Sequence, residues 1–235
     1  MKSVEEWLQE FNRLYNNIAS DAAPGLEPYE ISCFLTDAQE AIVVALYKGS
    51  LGAPFESTED VTSYLDTLVK QETVNAAKFV EEPYRIVEGS KVVPLPTDIL
   101  FRTLEFCNVT NSCTGESKTE VVPVVPVTQD EYFRTVRNPF KKHNSRRVLR
   151  LSYSTAAESS SKLSTQPYSE LVSDLTISSY TVRYLAKPAP IILEDLPDGL
   201  SIDGETKAQT CLLPEVLHQT ILSEAVRMAK ATWSA

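Results

Sequence analysis

His143 and His218 are the only histidines the chain offers for acid–base chemistry. His143 lies among Lys141, Lys142 and Asn144, with no carboxylate near it in sequence to orient the ring, and reads as a solvated loop residue. His218 follows Glu215 by about one turn and reads as a helix-face residue. Neither completes a nucleophile–base–acid arrangement. The four cysteines, Cys33, Cys107, Cys113 and Cys211, contain no C-x-x-C pair and with two histidines make no zinc shell. Cys107 and Cys113 are spaced to meet across a turn, although buried free thiols are the favoured reading. Carboxylate groups at Glu81-Glu82, Glu194-Asp195 with Asp198, and Asp203 with Glu205 fall in turn-like segments and read as solvated surface. No G-x-x-x-x-G-K-[ST], G-x-G-x-x-G or G-x-S-x-G occurs, and seven glycines leave few places for a backbone to approach a phosphate. No catalytic residue, metal ligand or cofactor is expected.

One cluster differs from its surroundings. Arg134, Arg137, Lys141, Lys142, Arg146, Arg147 and Arg150 follow one another without an intervening acid, and Phe140 sits among them. The net charge of the chain is −10, which disfavours nonspecific binding to nucleic acid or anionic membranes. The run is therefore either an exposed connection between strands or an electropositive face. As a face it would dock an acidic neighbour, a second copy included, or lie near DNA. Trp233, beyond the last helical stripe, is a further candidate anchor between subunits, or packs on its own domain.

The elements that position these residues follow from periodicity. Val4, Trp7, Leu8, Phe11, Leu14, Tyr15 and Ile18 recur at helical spacing, with Ser3 and Glu6 as a capping box. A second helical region runs from Pro28 to Lys48 and ends at Gly49; Thr36 with Gln39 leaves room for a bend near Leu35. A third helix is expected from Ser57 onward, burying Val61, Leu65, Leu68 and Tyr64. From Val74 to Leu193 the composition turns β-branched and aromatic. The strands expected there are Tyr84–Val87, Ile99–Val109, Glu120–Thr128, Arg147–Tyr153 and Tyr180–Ala186, with prolines 94, 96, 123 and 126 marking edges or bulges. Gln129–Arg137 suggests a short helix, and the Ser-rich Ala156–Ser164 a mobile loop. A last helix carries Leu213, Val216, Leu217, Ile221, Leu222, Ala225, Val226 and Ala229. The expected fold class is α+β: a helical bundle from both chain ends with a β-rich domain inserted. Its divisions would be 1–72, 73–207 and 208–235.

Composition fits a globular chain, with 43% hydrophobic and 23% charged residues. Residues 1–20 carry acids at Glu5, Glu6 and Glu10 where a signal sequence would carry bases, and the aliphatic stretch Ala41–Tyr47 is too short to span a bilayer. No membrane partner is expected, and the protein is expected to be made in a cytoplasm.

Several stretches in order resemble the neck ring proteins of crAss-like tailed phages. They include Leu14-Tyr15-Asn16-Asn17-Ile18, Tyr29-Glu30-Ile31-Ser32 and Phe34-Leu35-Thr36-Asp37-Ala38-Gln39-Glu40. Further on come Pro126-Val127-Thr128-Gln129-Asp130, Asn138-Pro139-Phe140-Lys141-Lys142, Arg146-Arg147-Val148 and Lys187-Pro188-Ala189-Pro190-Ile191. The resemblance covers most of the chain and supplies no catalytic residue. It implies a virion structural protein, a ring-forming adaptor or head–tail connector between portal and tail, assembled in the host cytoplasm. The partners it implies are copies of itself in a dodecameric ring, the portal protein, adjacent neck or tail rings, and packaged DNA in the channel. The competing readings are a module that contacts or retains DNA through Arg134–Arg150, and an enzyme such as a hydrolase or packaging nuclease.

Overall fold

A computed structural model describes residues 2–16, 25–49, 63–80, 85–111, 118–159, 162–197 and 199–232. The chain divides into two compact units, Met1–Leu68 with Lys187–Ala235, and Val69–Ala186.

The first unit contains α1 (Val4–Asn16), α2 (Pro28–Tyr47) and the chain's last helix (Glu215–Ala231). The capping box at the start of α1 forms as its spacing predicts: Ser3 N–H donates to Glu6 Oε2 at 2.7 Å and Glu6 N–H to Ser3 Oγ at 3.2 Å. Trp7, Phe11 and Tyr15 are its buried stripe. α2 is one unbroken helix, without a bend at Leu35, because Thr36 does not cap a second one. Its hydroxyl donates to the Ser32 carbonyl at 2.8 Å and accepts from Ile191 N–H at 3.1 Å. Ser32 Oγ likewise accepts from Leu193 N–H at 3.0 Å, and Gln39 Nε2 donates to the Ala189 carbonyl at 2.8 Å. Ser32, Thr36 and Gln39 lie on one side of α2. They satisfy the backbone of Ala189–Leu193, a buried extended segment in which the 188 and 190 prolines limit sheet pairing. Thr36→Val keeps the shape but orphans Ile191 N–H, so urea unfolding should show a loss of about 1–3 kcal/mol. An unchanged midpoint would mean that the hydroxyl holds nothing.

The second unit is a curled mixed sheet, a half-barrel in the order β1-β7-β3-β4-β5-β6-β2. The strands are β1 (Val69–Asn75), β2 (Lys91–Pro94), β3 (Ile99–Asn111), β4 (Lys118–Pro126), β5 (Val148–Ser159), β6 (Lys162–Val172) and β7 (Thr176–Ala186). All neighbours are antiparallel except β4 and β5. Pro123 is the last β4 residue paired to β3, and Val124 the first paired to β5, so the change of partner falls beside the residue without an N–H. Both edges are blunted: β2 has four residues and ends on Pro94, and β1 is polar with only Val74 buried.

This sheet overturns the expected fold class. The main body is not a helical bundle with a β insertion but a seven-stranded mixed sheet with few helices. The expected third helix stops at a 3-10 turn, Asp66–Leu68, and the chain enters β1 directly. Leu65 and Leu68 are buried as expected, while Val61 lies outside the described residues. The described part of Ala156–Ser164 is strand and not loop: Ala156 pairs with Thr165 and Ser159 with Lys162 between β5 and β6, while Ser160 and Ser161 lie outside the described residues. No strand forms at Arg85–Val87.

Side chains alternate across the sheet. Val148 and Leu171 join Cys107, Val109, Tyr180 and Val182 on one face. Leu149, Leu151 and Val172 face the other way and pack with Tyr132.

Candidate interaction site: the knuckle between β4 and β5

The connection from β4 to β5 carries a short helix, α3 (Tyr132–Arg137). The last helix, Glu215–Ala231, is therefore α4. Tyr132 and Val136, one turn apart, pack on Leu149, Leu151 and Val172. That inward anchorage turns Phe133, Arg134 and Arg137 to solvent.

The chain after α3 is tied down by its own polar atoms. Asn138 Oδ1 accepts from Phe140 N–H at 2.9 Å, and the Asn138 carbonyl accepts from the N–H groups of Lys141 and Lys142, both at 3.0 Å. Asn144 Oδ1 accepts from Arg146 N–H at 2.8 Å. The Arg147 guanidinium crosses back to donate to the Phe140 carbonyl at 2.9 Å. Asp174, from the β6–β7 turn, lies 3.1 Å from His143 Nε2. The side chains left outside are aromatic and cationic. Phe133 is 67% exposed and Phe140 86%. Arg137, Lys141, Lys142 and Arg146 are exposed and have no acidic partner among the described residues, whereas Arg134 pairs with Glu131 at 2.8 Å. A loop already held in shape loses little conformational entropy on binding.

The run anticipated from sequence is thus split. Arg134, Arg137, Phe140, Lys141, Lys142 and Arg146 share this exposed knuckle, and Arg147 is half-buried as one of its struts. Arg150 is not on it. Its position in β5 points it to the same face as Val148, where its Nε lies 3.1 Å from Glu105 Oε2 and its Nη1 donates to Ser152 Oγ at 2.7 Å. Tyr180 Oη donates to Glu105 Oε1 at 2.5 Å; burial, then the Glu105 charge, push that hydroxyl's pKa up. Trp233 lies outside the described residues.

The candidate chemical residues are placed just as plainly. His143 is half-buried against Asp174, a partner invisible in local sequence. No serine, threonine or cysteine is hydrogen-bonded to it among the described residues. His218 is on the last helix as expected, on its buried face inside the first unit, 4.9 Å from Trp7 between ring centroids, with Nε2 3.0 Å from the Leu213 carbonyl. That carbonyl requires Nε2 to carry the proton. Burial lowers the His218 pKa, so the folded chain binds fewer protons than the unfolded one, and stability falls as pH drops below about 6.5. Thermal unfolding of His218→Phe should lose that part of the pH dependence; an identical pH profile would contradict this. Cys107 and Cys211 are free buried thiols, pushed up by burial to about 12 and about 11, so thiolate chemistry at neutral pH is closed to them. Cys33 is also free, and Cys113 lies outside the described residues. No group of His, Cys, Asp and Glu that could hold a metal occurs among the described residues, and no described helix is long and apolar enough to cross a membrane.

The arrangement does offer a contact: aromatic tips and cations without an acidic partner among the described residues, on an acidic chain. Comparison with known proteins points the same way. Ring protein 3 of Bacteroides phage crAss001 is 35% identical over 228 residues, covering 96% of this chain and 94% of that protein. Ring protein 4/5 of the same phage is 31% identical over 244 residues, covering 98% of this chain and 93% of that protein. The sequence model of the phage tail ring protein 3/4 family matches residues 2–235, and the chain belongs to that family of structural ring proteins.

Proposed function

We propose that this chain is one subunit of a closed homo-oligomeric ring, dodecameric as the resemblance implies, in the neck between portal and tail. The ring surrounds the channel through which packaged DNA passes, and the chain catalyses nothing. The observation that carries this reading is the knuckle, where Phe133 and Phe140 stand exposed beside cations without acidic partners among the described residues. Interfaces are enriched in aromatic residues and arginine, and complementary charge sets which surfaces meet.

The DNA-contacting alternative uses the same cations. It is disfavoured because phosphate contacts need no exposed phenylalanines, and because Arg150 is held by Glu105. Crosslinking of intact particles with a lysine-reactive reagent tests the placement. The expected links join the chain to itself, to the portal and to a neighbouring ring. Links confined to capsid or tail-fibre proteins would refute the neck position. Salt-sensitive binding of the purified chain to duplex DNA, lost in Lys141→Glu/Lys142→Glu, would favour the alternative.

A further inference from the structure

A heterologous contact needs two different patches on one chain, a projection and a recess. The knuckle is the projection. A recess lies in the first unit, where α2 and α4 pack side by side and leave a groove of about 410 Å³ open to solvent. Beside Ile42 its lining is of small side chains, Ala41 and Ala45 from α2 and Thr220 and Ser223 from α4, which leave the space between the helices open. Glu224 and Arg227 stand at its rim and neutralise each other, with Arg227 Nε 2.7 Å from Glu224 Oε2. One turn before Ala41 on the same side of α2 is Asp37, exposed and without an ion pair among the described residues.

We infer that Phe140 of one copy seats in the α2–α4 groove of the next copy, with Lys141 and Lys142 against Asp37. The inference rests on the ring reading above and names the two surfaces that make the ring. Phe140 is the most exposed large apolar side chain among the described residues, and the groove is an open recess floored by Ile42 and small side chains. Among the described residues, cations without an acidic partner flank the first and a carboxylate without an ion pair the second. The match is therefore of shape and charge together. Burying one aromatic anchor in a desolvated recess is the usual composition of an interface hot spot.

The test uses the full chain with a photoreactive benzophenone side chain at position 140, mixed one to one with isotope-labelled protein. The expected result is a crosslink between copies of different isotope label, mapping to peptides of residues 28–48 or 219–227. Crosslinks within a single copy, or to any other surface of a second copy, overturn the inference. Crosslinking needs the contact and not a closed ring, and ring formation is read separately by mass photometry. Rings with crosslinks elsewhere sink this interface but leave the ring reading standing; a monomer at every concentration, with and without the portal protein, sinks both. Two variants give independent support. Ala41→Trp fills the groove from an exposed position and should weaken self-association about tenfold or more without changing the unfolding temperature. Lys141→Glu/Lys142→Glu should weaken it similarly, and adding Asp37→Lys should restore it. Failure of that exchange to restore association counts against the pairing.

Discussion

Glu170→Ala is expected to destabilise the protein by about 3 kcal/mol or more, read as a lower urea midpoint. Glu170 is fully buried in β6, with no ion pair among the described residues. Its carboxyl oxygens are held by donors: Ile86 N–H at 3.0 Å, Val87 N–H at 2.8 Å and Ser90 Oγ at 2.6 Å. Removing the carboxylate orphans the Ile86 and Val87 N–H groups, while the Ser90 hydroxyl still reaches the Val87 carbonyl at 2.7 Å, and frees the segment before β2 from the sheet. Two effects should appear together, loss of stability and loss of hydrogen-exchange protection at Ile86 and Val87. Glu170→Gln keeps one accepting oxygen and should lose less. An alanine variant within about 0.5 kcal/mol of the parent would show that the carboxylate does not hold this segment.

The second large effect concerns Arg150. Arg150→Met leaves Glu105 buried with Arg102 at 3.8 Å as its remaining cation. Stripping one partner from a buried pair costs about 3–5 kcal/mol, and the Arg102 contact should hold the loss near the lower end. The double variant Glu105→Gln/Arg150→Met removes the stranded charge and should recover part of that loss. Lys142→Glu and Arg146→Glu, from the same basic run, should leave the unfolding midpoint unchanged and act only on association. If Arg150→Met behaved like these surface variants, the division of the run into a structural and an exposed part would be wrong.

Features written in local sequence were the ones legible in advance. The Ser3–Glu6 box, the proline and glycine around α2, and the Asn138-Pro139 stop after α3 depend on neighbours within a turn or two. Features set by distant partners were not. β1 shows no alternation because it is an edge strand and exposes nearly every side chain. The Ser-rich segment has the composition of a loop, yet pairing of β5 with β6 continues to Ser159 and Lys162. Those two strands, with β2, turn what read as a β insertion into the main body. Glu170 finds donors 80 or more positions away, and His143 finds Asp174 in the β6–β7 turn. For the site, local composition located the knuckle, but only strand alternation separates Arg150 from it. The apolar alternation Val148-Leu149-Arg150-Leu151 carried that signal: with apolar residues on both faces, the arginine between them must be buried and paired.

The mass of the purified full chain across a wide concentration range, by native mass spectrometry, tests the central claim most directly. The account predicts one closed assembly of fixed copy number in exchange with monomer, shifted toward monomer by Lys141→Glu/Lys142→Glu. A chain that stays monomeric at every concentration and in the presence of the portal protein, or that grows into filaments without a fixed number, would contradict it.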